Sequence, residues 1–194
     1  KFVVKYYEKN NDDFNAIQAE TKNLLFFNKE KLNLFPKVVG HDENFLIVKY
    51  FENNKKKQNK IDIQFIKNLA QLHSKSSEKF GFYFDTQIGG MRQPNDFDQN
   101  WAVFFSEKRL NVIFETICKT NPMPKKINQN LEKLIRSLNE KIPSNPKPSL
   151  LHGDLWEGNI LFNNGKFVGL IDPGSFYGHN EMEIAYLRWF NLID

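Results

Sequence analysis

Over the first fifty residues the apolar positions change their spacing twice. KFVVKYY, residues 1–7, is a β-rich run closed by the polar stretch EKNNDD, which predicts a strand already under way at the first residue. From residue 14 to about 31, Phe14, Ile17, Leu24, Leu25 and Phe27 return at mostly helical spacing and predict a helix. PKVVGHDENFLIVKYF then reads as two strands with a turn near residues 40–44 and the second strand at 45–50. The first part is therefore expected to be strand, helix, strand, strand.

After the tract NNKKKQNK at 53–60, a candidate inter-lobe linker or insertion, helical spacing dominates. Residues 61–76 put Phe65, Ile66, Leu69, Leu72 and His73 on one face. FGFYFDTQIGGMRQPN breaks the pattern with Gly and Pro. Helical spacing resumes over 98–118 (Trp101, Phe104, Leu110, Ile113) and again over 127–142. Two short β-type runs, 159–162 and 167–171, bracket NNG at 163–165 and predict a hairpin. EMEIAYLRWFNLI predicts a last helix, and no internal repeat is visible. The expected class is α+β, strand-rich first and helical afterwards.

With 194 residues, 40% of them hydrophobic, the chain can bury a core as one domain or a small two-lobed one. The net charge of +4 owes much to the 53–60 tract. Such a tract fits a nucleic-acid contact or a solvated loop, and the lack of interleaved aromatics favours the loop, so no nucleic-acid partner is expected. The lone Cys118 excludes an intramolecular disulfide and reads as a buried structural thiol. Neither a leader pattern nor a long apolar run occurs, so no membrane partner is expected and the cytoplasm is the expected location.

Candidate chemistry concentrates in LLHGDLWEGNILF, 150–162, and GLIDPGSFYGH, 169–179. Phosphoryl transfer needs a base near the acceptor hydroxyl, ligands for a metal on the phosphates, and a cation. Asp154 and Asn159 have the Asp-to-Asn spacing of the protein-kinase catalytic loop H-R-D-x-x-x-x-N, and Asp172 follows after a hairpin-sized interval. An Asp can accept a proton, while an amide oxygen and a carboxylate are hard ligands suited to magnesium. The cation should come from a strand and be held by an acid on the next helix, which selects Lys5 and Glu20. His152 is expected to hydrogen-bond the loop backbone rather than act as a base, and His73 to be a satisfied core residue. Trp156 reads equally as a sugar-stacking platform or as core filling.

These residues resemble the fructosamine kinases (ketosamine 3-kinases), relatives of the aminoglycoside and choline phosphotransferases. LLHGDLWEGN resembles that family's H-G-D-L-W-x-G-N, and IDPGSFYGHNEMEIA its D-P-A-x-Y-Y-G-H-x-E-x-D-L-A. SEKFGFYFDTQIGGMRQPN, WAVFFSEKRL, FVVKYY and QAETKNLL extend the resemblance over nearly the whole chain. The resemblance implies a protein-kinase-like two-lobed fold: a partial N-lobe at 1–52, the loop at 53–60 and a helical C-lobe at 61–194. It implies Asp154 as catalytic base, Asn159 and Asp172 as magnesium ligands, and Lys5, oriented by Glu20, on the ATP phosphates. The hinge meeting adenine would be Lys49, Tyr50 and Phe51. Sugar contacts are expected from 89–95 and 176–181, with Trp156, Tyr177, His179 and Glu181 as candidates. The implied activity is phosphorylation of the 3-hydroxyl of a ketosamine, free or protein-bound, whose unstable 3-phosphate then sheds the sugar.

The first glycine is Gly40, so the family's phosphate-covering loop has no counterpart before the Lys strand, and the family's later helices have none after residue 194. Both departures imply a fragment, expected to be a weak or inactive kinase by itself because nucleotide positioning is incomplete. Glu183 stands where the family has Asp, and Gly174 where Ala is common. The alternatives are an aminoglycoside- or choline-type phosphotransferase, or an inactive truncated nucleotide-binding module.

Overall fold

Strand β1 (Phe2–Tyr6) turns Val3 and Lys5 inward and leaves Phe2, Val4 and Tyr6 exposed, the period-two alternation of a pleated strand. In the computed structural model, which describes residues 1–7, 14–54 and 62–193, β1 pairs antiparallel with β3 (Phe45–Lys49). The latter pairs with β2 (Val38–His41), giving the order β1-β3-β2. Helix α1 (Ala16–Lys29) is capped by the Asn15 side chain, which accepts from Gln18 N–H at 3.0 Å. Its inward face carries Ala19, Glu20, Leu24 and Phe27, and the Phe27 ring stacks on Phe35 at 3.8 Å. The predicted strand, helix, strand, strand is what forms. From residue 55, the Lys/Asn tract lies outside the described residues; Asn54 donates its N–H to Phe162 O at 3.1 Å.

Helix α2 (Ile63–Ser74) starts at Asp62, which accepts from Gln64 N–H and, with its other oxygen, from Phe167 N–H at 2.7 Å. The expected break after α2 contains a small hairpin, β4 (Thr86–Ile88) and β5 (Met91–Gln93), turned by Gly89 and Gly90 at positive φ. The helix expected over 98–118 is interrupted: α3 (Trp101–Phe105) passes through a π-turn at Ser106–Asn111 into α4 (Val112–Thr120). That turn brings the Arg109 guanidinium inside, 4.8 Å from the Phe104 ring and 4.0 Å from Phe176, where it donates to Pro94 O and Asn95 Oδ1. Burial lowers its pKa to about 9.

Helix α5 (Lys125–Arg136) forms within the helical spacing expected over 127–142 but buries none of its residues, and Ile127 and Leu134 are exposed. Cys118 is half-buried on α4 rather than buried as expected, because no residue of α4 reaches the core. Strands β6 (Pro148–Leu150) and β9 (Tyr177–His179) pair antiparallel, and β7 (Ile160–Asn163) with β8 (Lys166–Leu170) forms the expected hairpin. The last helix is α6 (Asn180–Trp189). One continuous core runs from Leu24, Leu46 and Val48 through Phe65, Leu72 and Phe104 to Leu151, Leu170 and Leu187, so the small sheet and the helices are built on each other.

Candidate active site

The inward parity of β1 aims Lys5 at the inner face of α1. Its Nζ lies 2.6 Å from Glu20 Oε1 and also pairs with Asp172 Oδ1. Three elements distant in sequence therefore meet at one ammonium. Burial would lower the Lys5 pKa, but the charges of Glu20 and Asp172 outweigh it and raise it. Glu20 is buried, and desolvation raises its pKa against the pull of Lys5. Asp172 sits at φ 54, a left-handed conformation uncommon for a non-glycine residue and found disproportionately at working sites.

The second half of the site is a pair of loops tied by the β7–β8 hairpin. Ile171, just before Asp172, donates its N–H to Asn159 O at 3.1 Å, and its C=O lies 2.9 Å from His152 Nε2. His152 Nδ1 lies 3.2 Å from the Asp154 N–H. Because Nδ1 accepts there, the proton sits on Nε2, which donates to Ile171 O. Burial lowers the His152 pKa and keeps the ring neutral, so its work is to join the two loops, as expected from its place beside Gly-Asp. Asn159 donates Nδ2–H to Asp154 O at 2.8 Å and to Asp154 Oδ2 at 3.2 Å. Both bonds use the amide nitrogen, so the side-chain oxygen is the atom able to coordinate a cation. Burial raises the Asp154 pKa.

Lys49, Tyr50 and Phe51 line a cleft of about 180 Å³ together with Lys5, Leu161 and Asp172. The N–H groups of Lys49 and Tyr50 are taken by Lys37 O and Lys1 O, so among the described residues Phe51 N–H is the backbone donor of the three left over. A larger cavity of about 800 Å³, between α1, the β4–β5 hairpin and α4, is lined by Gly90, Met91, Arg92 and Pro94 of the segment expected to contact sugar, but by none of Lys5, Glu20, Asp154, Asn159 or Asp172. Chemistry, not volume, locates the site.

Trp156 is 42% exposed, which overturns the core-filling reading; its ring lies over Gly158, where an added Cβ would come within 2.4 Å of Trp156 Cη2, and faces Phe190 at 6.4 Å. Tyr177 is buried among Phe82 and Tyr83, with its pKa pushed up to about 12 by burial. His179 packs on Trp101 at the head of α6, 3.9 Å from the exposed Glu181. None of the ring contacts or ion pairs of these last three residues reaches the Asp154 loop. In the 89–95 segment Asn95 is buried and holds Phe84 O and Thr86 Oγ1.

Sequence reasoning missed the groups that hold the catalytic-type loop. Glu183, 1% exposed, accepts N–H from Gly153 at 2.8 Å and from His152 at 3.3 Å, and Ser175 Oγ donates to His152 O at 3.1 Å. Glu183 lies four residues before the buried Leu187 on α6, so an acid on the apolar side of that helix was the available signal.

The chain belongs to the fructosamine kinase family, whose model matches residues 1–194. It is 30% identical over 196 residues to the "Probable ketoamine kinase" of Vibrio cholerae serotype O1, covering 97% of this chain and 66% of that one. A provisionally named fructosamine-3-kinase of Haemophilus somnus 129PT superposes with a TM-score of 0.81 at 30% identity, over 97% of this chain and 63% of that chain. The streptomycin–ATP–APH(2″)-IIa ternary complex shares the fold, with a TM-score of 0.56 at 19% identity over 93% of this chain and 62% of its own. The chain thus has a protein-kinase-like α+β fold and spans just under two thirds of the length of these relatives.

Proposed function

We propose that this chain carries the catalytic residues of an ATP-dependent ketosamine 3-kinase acting on fructosamine or ribulosamine groups of glycated amines or proteins. The single observation that carries the reading is the meeting of Lys5, Glu20 and Asp172 beside the Asp154–Asn159 pair. Membership of the fructosamine kinase family supports the substrate class, and the ATP complex of a protein with the same fold supports the nucleotide.

In this reading Asp154 accepts the proton of the sugar 3-hydroxyl as its oxygen attacks the γ-phosphorus. The bond to the β,γ-bridging oxygen breaks and ADP leaves. Lys5 supplies positive charge to the α/β phosphates, and its two carboxylate partners fix its direction. Lys49, Tyr50 and Phe51 form the adenine-side wall, with Phe51 N–H as donor. Magnesium fits the donor set: the Asn159 oxygen and the Asp172 carboxylate are hard oxygen ligands, and among the described residues no cluster of three or more His, Cys, Asp or Glu competes as a metal cage. When bound, the ion supplies charge neutralisation on the phosphate oxygens.

The exposed Trp156 ring is the favoured platform for the sugar; Tyr177, His179 and Glu181 are assigned no contact with it, since their ring contacts and ion pairs lie elsewhere. The two lobes divide at 53–60, and the reaction runs in the cytoplasm; among the described residues no helix is long and apolar enough to cross a membrane. A coupled ATP-consumption assay on the full-length protein with fructoselysine, ribuloselysine and an aminoglycoside tests the proposal. Turnover with the ketosamines is expected; turnover with the aminoglycoside alone would establish the rival phosphotransferase reading.

A further inference from the structure

The loop carrying Asp154 hangs from one buried carboxylate, and that carboxylate is held by a histidine from a different part of the chain. Glu183 Oε1 accepts from Gly153 N–H, while Oε2 accepts from His152 N–H and lies 2.8 Å from His73 Nε2. Burial alone would raise the Glu183 pKa, but the His73 hydrogen bond, its charge and the Gly153 N–H bring it below the usual range. An ionised acceptor facing Nε2 requires that Nε2 carry the proton, so His73 is the donor. Removing one partner of such a buried pair costs far more than the pair itself contributes, because the acid is left desolvated and under-bonded.

His73 is also reachable. It lines a cavity of about 420 Å³ between α2, β6 and α6, alongside Lys147, Ser149 and Asn180, and this cavity contains none of Lys5, Asp154, Asn159 or Asp172. Among the described residues its Nδ1 has no hydrogen-bond partner, so one edge of the ring serves Glu183 and the other is uncommitted.

We infer that His73 is a positioning residue for phosphoryl transfer: its Nε2–H orients Glu183, Glu183 fixes the Gly153 and His152 backbone, and that backbone aims Asp154 at the acceptor hydroxyl. His73 touches no reacting atom. The inference rests on the kinase reading of Asp154 proposed above.

The cavity supplies the test. In His73→Ala, a ring-sized space opens beside Glu183 from a cavity that small heterocycles can enter. The expected result is a kcat lowered by about tenfold to a hundredfold, the scale of a small misplacement of a catalytic group, with KM for ATP nearly unchanged. Added imidazole should restore kcat, whereas pyridine, a similar ring that accepts but cannot donate, should not. Amide exchange at Gly153 should accelerate in the variant and slow again with imidazole.

Should His73→Ala fail to fold, His73→Gln, which keeps a donor, should retain more kcat than His73→Phe, which only fills space. Wild-type kcat in His73→Ala, equal rescue by pyridine, or Phe matching Gln would each overturn the inference. Absence of kinase turnover in the unmodified full-length protein would instead overturn the reading of Asp154, while the exchange rate at Gly153 would still report whether His73 anchors the loop.

Discussion

Lys5 shows what a single position can and cannot declare. A lysine in an apolar strand is ordinarily a surface residue, yet here alternation with Val3 turns it inward onto Glu20 and Asp172. The spacing to Glu20 made that pair legible in the sequence. Its contact with Asp172 was not, because no local pattern reports a pairing across 167 positions. Asp154→Asn should lower kcat by about 10²–10⁴, the usual contribution of a general base, with an unchanged thermal midpoint in calorimetry. In a double-mutant cycle, Lys5→Met and Glu20→Gln should show a coupling of about 0.5–3 kcal/mol in unfolding free energy. Additive losses would mean that the pair is not formed.

The same scale carries a pH dependence. His152 has a folded pKa below its ordinary 6.5, so its share of stability is complete above pH 6.5 and is lost as pH falls through the lowered value. Glu183, held below 4.5, acts with the same sign further down. Asp154, raised above 3.8, and Glu20, raised above 4.5, oppose them in part. The thermal midpoint should therefore fall as pH drops from 6.5 towards 4.5, and a midpoint rising over that window would contradict the buried, neutral His152. On the kinetic side, the acid limb of kcat/KM should lie above pH 3.8, since Asp154 must be ionised to accept a proton.

Among the elements, those whose signal is local were readable. NNG announced the β7–β8 hairpin, and helical spacing announced α1 and α2 within a few residues of their ends. The β4–β5 hairpin hid in a stretch read as a break, although Gly89-Gly90 is a turn signal. Strands β6 and β9 were invisible: each has three residues, one contains Pro148 and the other Gly178, and their pairing joins distant segments. The π-turn was hidden for a similar reason, since Arg109 turns inward to meet Asn95 and Phe176 rather than by any local preference.

Two glycines at positive φ separate conformation from contact. Gly153 has φ 87, and a Cβ there would lie 2.1 Å from Gly174 O, whereas Gly89 at φ 55 has open space around it. Gly89→Ala should cost about 1 kcal/mol, the left-handed penalty alone. Gly153→Ala adds a backbone clash between the two active-site loops and should cost well over twice that, on the scale of severe single substitutions, with turnover lost as well. Equal costs in chemical denaturation would show that the loops do not pack as described.

At the scale of the molecule, the core passes without a break from the small sheet into the helices, and this continuity lets a lysine on one side meet an aspartate on the other. Family and fold were legible because motifs recur along the whole chain; the family model matches 1–194. The burial of His73 was expected from its helix face, but its hold on Glu183 and the parts of Glu183 and Ser175 were not legible, since these declare themselves only through hydrogen bonds made after folding. The central claim is that Asp154, Lys5 and their partners transfer phosphate to a ketosamine. The most direct measurement is phosphorus NMR of the product formed from ATP, magnesium and fructoselysine by the protein of the whole gene. The expected product is a phosphomonoester on the sugar 3-oxygen, absent with Asp154→Asn. ATP turnover on an aminoglycoside with no phosphorylated ketosamine, or undiminished product from Asp154→Asn, would contradict it.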